Sequence, residues 1–269
     1  MLNSILIFTT EQQQKINDLR CLVEDSPNLC VGTDDVFLAK FLSFKNWHLE
    51  RAYVALHHYY DFKAENPDWV AHHPVEYFRD EFLEVAARFV MPKPDKEGRP
   101  ILIIRMVDAF ARYPNYLIDS AEMEDLIFES LLLLPQAQEN GITVIFDMTG
   151  FNRNFLPYVA PRITRLVHQK EKVLPFPKRF VHFIVGGVFI NAITTLVMPL
   201  ILKEFKENTF NHDGKNFDKL RHMIGFENLP AEYGGPEYNQ LDINLLWNHI
   251  EKHADYLFKL QSYHKKKIY

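Results

Sequence analysis

Two histidine pairs, His57-His58 and His72-His73, are the densest set of metal-ligating side chains in the sequence. Adjacent residues on a helix point about 100° apart, so each pair would offer at most one ring to a shared ion without distortion. Both pairs are therefore expected at the surface, with no metal bound. Asp147 ends an apolar run and precedes Met148-Thr149-Gly150. That places it at the carboxyl end of a buried strand, where open parallel sheets bind ligands. Its simplest role is that of a turn acid accepting backbone N–H groups. Arg105, inside another apolar run, needs a carboxylate partner, because a lone buried guanidinium is too costly. The sequence contains no Gly-x-Ser-x-Gly elbow, no Gly-x-Gly-x-x-Gly after a strand, no phosphate-binding loop and no His-Glu-x-x-His helix. An ordinary hydrolase, dehydrogenase or nucleotide-dependent enzyme is disfavoured, and neither a catalytic residue nor a cofactor is expected.

The elements that must position these residues change character along the chain. The first third reads as helical. Residues 11–24 place Ile16, Leu19 and Val23 on one face, and 34–44 hold Phe37, Leu38, Phe41 and Leu42 at helical spacing. Leu49, Ala52, Tyr53, Leu56 and Tyr60 repeat the pattern until Pro67 stops it. The turn-rich stretch 91–100 predicts a boundary between an N-terminal helical domain, 1–92, and a second domain, 93–269. Beyond it, 100–107, 142–148 and 180–185 are near-continuous apolar runs of strand length, as in sheets covered on both faces. A helix opened by Asp119, with Glu122 as its capping-box partner, and closed by Asn140-Gly141 separates the first two. A further helical stretch, 155–172, separates the second and third. Strand, helix, strand, helix, strand with long crossovers implies an α/β fold with a parallel sheet and right-handed connections. Helices are expected again over 188–207, kinked at Pro199, over 217–224, and over 241–262, where Leu246, Ile250, His253, Leu257 and Leu260 share a face.

The chain has 269 residues, 47% hydrophobic, 24% charged and 14% aromatic, so it can build a bulky core or an apolar cavity wall. Lys plus Arg number 30 against 35 Asp plus Glu, a formal charge of −5, which excludes bulk attraction to nucleic acid. The basic clusters are local: Lys178-Arg179, Lys203 with Lys206, Lys219 with Arg221, and His264-Lys265-Lys266-Lys267. Each Lys or Arg near an anionic leaflet contributes about 1 kcal/mol, so several on one face suffice for peripheral contact. Cys21 and Cys30 cannot form a multi-bridge framework, and the opening residues lack a basic stretch before their short apolar run. The expectation is a cytoplasmic protein with reduced thiols.

The most apolar part of the chain, 180–202, carries no Asp, Glu, Lys or Arg and is long enough to cross a bilayer. His182, Asn191 and the pair Gly186-Gly187 oppose a continuous span. They favour a buried strand ending at the glycines and a helix starting at Val188.

With the motifs in order, the chain resembles the CRAL-TRIO lipid-binding family, nearest its tocopherol- and retinaldehyde-binding branch. The match is carried by 34–42, Glu50-Arg51-Ala52-Tyr53 and Tyr59-Tyr60 in the helical part. It continues through Gly98-Arg99-Pro100-Ile101, the run from Ile145 to Phe151, Phe176-Pro177-Lys178-Arg179-Phe180, and Leu229-Pro230-Ala231-Glu232-Tyr233-Gly234-Gly235. The resemblance covers roughly residues 11 to 260. It implies an N-terminal helical bundle followed by a parallel-sheet lipid domain with a mobile gating helix, here 188–203, and a floor strand over 180–185.

The same resemblance implies a non-enzymatic carrier of a tocopherol, retinoid, carotenoid or other lipid-like molecule. The carrier would be monomeric, would take no cofactor, and would touch anionic membranes transiently. The implied pocket wall is Phe128, Leu132, Ile145, Phe151, Ile163, Val167, Ile184, Phe189, Ile193, Leu196, Val197 and Leu200, with Asn191 and Thr194 as polar contacts. Of the family's inositol-phosphate site, Arg179 matches the first basic position, with Lys178, Lys203 and Lys206 nearby as partial substitutes for the rest. Two departures weaken that site: its second basic position falls in a gap beside Val181, and the later basic pair is matched by Glu204 and Asn208. Gly186-Gly187 also stands where the family has proline, which loosens the hinge. The alternative reading is a docking module whose pocket is filled by its own aromatics.

Overall fold

The computed structural model describes residues 6–111, 116–152, 154–155, 161–186 and 207–266. The helical part begins with α1 (Thr10–Glu24), opened by a capping box in which Thr9 Oγ1 accepts the Gln12 N–H at 3.2 Å and Gln12 Oε1 accepts the Thr9 N–H at 2.9 Å. In α2 (Asp35–Phe44) the cap is Asp34, whose Oδ1 accepts the Phe37 N–H at 3.0 Å. α3 (Leu49–Glu65) ends before Pro67, as the sequence requires. Between α1 and α2 lies a short strand, β1 (Leu29–Cys30), and α4 (Arg79–Val85) follows two 3₁₀ turns.

The main sheet has five strands in the order β2 (Arg88–Val90), β3 (Ile101–Arg105), β4 (Ile142–Asp147), β5 (Arg179–Val185) and β6 (Thr209–Asp213). β2 is antiparallel to β3 and the rest are parallel, with Ile101 opposite Thr143, Ile142 opposite Arg179 and Val181 opposite Thr209. The crossovers carry α5 (Met106–Ala111), α6 (Tyr116–Leu131), α7 (Pro135–Asn140) and α8 (Pro161–Val173). Then come α9 (Asp218–Ile224), α10 (Ile243–Lys252) and α11 (Ala254–Gln261), and β7 (His264–Lys265), which pairs antiparallel with β1. The turn into β4 demands glycine. Gly141 has φ +88°, and a Cβ there would meet the Lys178 carbonyl oxygen at 1.9 Å.

Each strand splits its apolar residues between two faces, because successive side chains alternate. Leu102, Ile104, Val144, Phe146, Phe183 and Val185 join the core of α1, α2, α3, α6, α10 and α11. Ile101, Ile103, Ile145 and Ile184 join the opposite cluster, under Leu220, Ile224, Leu229 and Tyr233. We call these the first and second faces.

Several expectations are corrected. Asp119 does not open a helix, since α6 starts at Tyr116; Glu122 therefore lies within it and its carboxylate is used elsewhere. The predicted single helix is two, because Pro135, which cannot donate an N–H, starts α7 anew. Met106 and Val107 belong to α5 rather than to a strand. The 241–262 helix breaks at His253, where φ −109° and ψ 15° leave the helical region. His72-His73 is not on a helix. Finally, β5 takes the first six residues of the apolar run 180–202, so that run is not one continuous membrane-spanning helix. Among the described residues no helix is long and apolar enough to cross a membrane. The expected gating helix, 188–203, lies outside the described residues, as does Pro199.

Candidate functional site

The carboxyl ends of the central strands carry an apolar surface on the first face. Phe146 of β4 and Phe183 of β5 stack with centroids 5.4 Å apart and planes 20° off parallel. Both are only half-buried, although their strands are central in the sheet. Beside them, Phe155 packs on Phe110 at 5.9 Å and on Phe151 at 5.5 Å. A parallel strand in mid-sheet normally buries both faces. Two accessible phenyl rings at the ligand-binding end of such a sheet are therefore an apolar contact surface.

Of the predicted wall residues, the structure brings Phe128, Leu132 and Phe151 into the first-face core, with Phe128 edge-on to Phe176 at 5.9 Å. Ile163 is half-buried and Val167 exposed on α8. Ile145 and Ile184 point away from these residues, into the second face. Phe189, Asn191, Ile193, Thr194, Leu196, Val197 and Leu200 lie outside the described residues, with Lys203 and Lys206. Sequence reading missed Phe146 and Phe183 because every position of the run from Ile142 to Phe146 suits a buried strand. No polar alternation tells which residues share a face.

Asp147 and Arg105 at the strand ends are engaged by the protein itself, whereas Asn211 Oδ1 and His212 Nδ1 on β6 are buried without a hydrogen-bond partner among the described residues. Asp147 Oδ1 accepts the Thr149 N–H at 2.8 Å, the turn role expected of it, and Oδ2 accepts the Tyr233 hydroxyl at 2.8 Å. Burial and the Asp147 carboxylate push the Tyr233 phenol well above its ordinary range. Arg105 finds its carboxylate in Glu232. On the second face His182 and His212 stack, with Nδ1 of the first 2.8 Å from Nε2 of the second. Burial lowers their pKa values to about 3 and about 4. A cleft of about 360 Å³ opens beside His182 and Phe180, and Arg99 lies over the Phe180 ring at 3.8 Å. The Arg99 guanidinium is occupied by Asp95 at 2.7 Å and Glu97 at 2.6 Å.

Three members of the expected basic clusters are tied up in ion pairs. Arg179 pairs with Glu171 at 3.1 Å and donates to the Leu174 carbonyl at 3.1 Å, which turns it away from solvent. Arg221 pairs with Asp218, and Lys265 with Asp61 at 2.6 Å. Lys178 remains exposed. A different basic surface exists: Arg162, Arg165, Gln169 and Lys172 lie at i, i+3, i+7 and i+10 on α8, and all four are exposed. Its C-terminal end borders a groove of about 480 Å³ between α3 and α8, lined in part by Phe44, Arg51, Val54 and Lys172.

A mostly parallel sheet with helices in its crossovers is an α/β architecture, a class whose ligands characteristically bind at the carboxyl ends of the strands. Residues 87–235, more than half of the chain, match the CRAL/TRIO domain family. The chain belongs to that family of lipid-binding proteins. Clavesin-2 of Mus musculus is 28% identical over 236 residues, covering 84% of this chain and 70% of its own length. Clavesin-1 of Rattus norvegicus is 28% identical over 235 residues, covering 84% and 65%. Among solved structures, Sfh5 superposes with a TM-score of 0.56 at 13% identity over 88% of this chain and 91% of its own, which shows the shared fold.

Proposed function

We propose that this protein is a non-enzymatic carrier of one small hydrophobic molecule of tocopherol, retinoid, carotenoid or similar lipid-like class, held on the first face of the sheet. The observation that carries the reading is the half-buried, stacked Phe146–Phe183 pair on the central strands of the sheet. Transfer from a bilayer to such a surface exchanges one hydrocarbon environment for another. The roughly 0.8 kcal/mol per buried CH₂ that keeps the ligand out of water nearly cancels, and exchange stays reversible. Shape then decides selectivity.

Delivery takes place at anionic membranes, in the cytoplasm, by a monomer that docks peripherally. The α8 stripe of Arg162, Arg165 and Lys172 supports this, since these side chains make no ion pair among the described residues. Organic extraction of the purified protein followed by mass spectrometry tests the carrier. One lipid per chain is the expected result; protein free of lipid after expression in lipid-rich cells refutes it and leaves a docking module.

A further inference from the structure

Three acids on the buried side of α6 are each less than a tenth exposed: Glu122 at 1%, Asp125 at 2% and Glu129 at 5%. Asp125 is held by Lys170 at 3.0 Å and Lys63 at 3.8 Å, and Glu129 by Lys40 at 2.8 Å. Glu122 differs. Among the described residues neither a lysine nor an arginine pairs with it. Its contacts are His72 Nδ1, 3.1 Å from Oε1, His73 Nδ1, 3.0 Å from Oε2, and the His72 backbone N–H at 3.3 Å. A buried carboxylate is costly unless it is paired or bound to a metal.

The geometry points to a divalent-cation site made by His72 Nδ1, His73 Nδ1 and the Glu122 carboxylate, of the borderline class that zinc represents. All the ligand atoms lie within 4.8 Å of one another. Donors about 2.1 Å from a tetrahedral ion stand roughly 3.4 Å apart. The two nitrogen–oxygen separations, 3.1 Å to Oε1 and 3.0 Å to Oε2, need only a few tenths of an ångström of opening, and every other donor pair lies within 4.8 Å, so side-chain rotation alone closes the set. The two rings converge because residues 71–74 run irregularly into Pro74 instead of forming a helix, so both imidazoles fan toward one acid, centroids 4.3 Å apart.

The surroundings hold that arrangement. Tyr77 stacks on His73 at 4.0 Å with planes 13° apart, and Gln261 Nε2 donates to the His73 carbonyl at 2.9 Å. The neighbouring Ala71 N–H donates to Asp125 at 3.0 Å, and Lys170 and Lys63 neutralise that acid. The histidine side chains are 54% and 38% exposed, which leaves an approach and a position for water as the fourth ligand. Two imidazoles and one carboxylate suit zinc or its neighbours rather than magnesium or calcium, which require oxygen ligands. An entering ion replaces the proton on each Nδ1. A neutral ring shifts to its Nε2–H tautomer, the Nδ1 proton passing to solvent as Nε2 takes one up, and a charged ring keeps its Nε2 proton and gives up the Nδ1 proton to solvent. The bound ion staples the 71–73 loop to α6, and ligand linkage then raises stability.

Zinc chloride titrated calorimetrically into the full, tag-free, EDTA-treated chain should bind one equivalent, with magnesium chloride giving no heat above dilution. His72→Gln and His73→Gln should each weaken binding at least tenfold, and the double variant should lose the site. The wild-type melting temperature should rise with zinc and return with EDTA. Cobalt(II) reads the ligand set without any substitution, through the strong visible bands of a four-coordinate ion. Wild-type zinc binding no stronger than that of the double variant, or only the weak bands of six-coordinate cobalt, would overturn the proposal and leave two imidazoles that simply hydrogen-bond Glu122.

Discussion

The Tyr233 hydroxyl donates to Asp147 Oδ2 at 2.8 Å, so the cover of the second sheet face is fastened to the carboxyl end of β4. Tyr233 is 3% exposed, and its ring packs edge-on against Phe217 at 6.0 Å. Removing only the oxygen keeps that packing and loses the hydrogen bonds to the Asp147 carboxylate and the Arg105 guanidinium, each worth about 1.5–3 kcal/mol. Tyr233→Phe should therefore lower the urea midpoint with an unchanged slope. Glu232→Gln, in the more exposed pair with Arg105, should shift it by less than about 1 kcal/mol.

A larger effect is expected at Lys40. Its ammonium and the Tyr59 hydroxyl both serve Glu129, deep between α2, α3 and α6. Burial alone would raise the Glu129 pKa, but the Lys40 and Lys63 charges hold it below its ordinary value. Lys40→Met strands a buried carboxylate, at about 3–5 kcal/mol. Adding Glu129→Gln should recover a good part of that loss, which a double-mutant cycle by denaturant titration measures.

Acid should destabilise the fold well above the range of carboxylate titration. Burial lowers the pKa of His182 to about 3, and of His212 and His249 to about 4, against about 6.5 for a free imidazole. Between these limits the unfolded chain binds more protons, so their stabilisation is full above about pH 6.5 and is lost as pH falls toward 4. Each imidazole contributes a slope of about 1 kcal/mol per pH unit in that window. Denaturation midpoints from pH 7 to pH 4.5 should show it, and His249→Gln should make the fall shallower.

The two faces of the sheet should separate in function. Phe183→Ala, on the first face, should weaken binding of a fluorescent hydrophobic ligand severalfold while far-ultraviolet circular dichroism is unchanged. Ile145→Val, on the second face, should cost about 0.5–1.5 kcal/mol of stability and leave ligand affinity alone. The reverse pattern would move the ligand to the other side of the sheet.

Membrane contact should depend on α8. Reversing Arg162 and Arg165 to Glu should sharply reduce sedimentation with phosphatidylserine vesicles at low salt. Arg179→Gln should matter little, its guanidinium being held by Glu171. Wild-type binding should weaken as salt rises, since exposed charges are screened over about 8 Å at physiological ionic strength.

The elements whose signals are local were legible in the sequence. Ile16, Leu19 and Val23 form the buried stripe of α1, Pro67 lies just beyond α3, and the apolar runs became β3, β4 and β5 in parallel order. β2 was missed because three residues are too few for a pattern, and β6, with the sequence Thr-Phe-Asn-His-Asp, is too polar to read as a covered strand. The site was harder to read. Which face Ile145 or Phe146 takes depends on register within a uniformly apolar run, and the pairing of Arg179 with Glu171 depends on where α8 ends. The convergence of His72 and His73 was hidden for a related reason: it requires a bend that only the surrounding loop creates.

The pairing of β1 with β7 sets an order of events during synthesis. Leu29 stands opposite Lys265 and Cys30 opposite His264, while Tyr256 donates to the α2 cap acid Asp34 at 2.9 Å. The first helices thus find part of their support only after nearly all the intervening chain has left the ribosome. Closing so long a loop is entropically expensive and slow. Until then the apolar stripe of α1 and α2 is incompletely covered, and a nascent chain halted before residue 256 should be a better chaperone client than the finished protein.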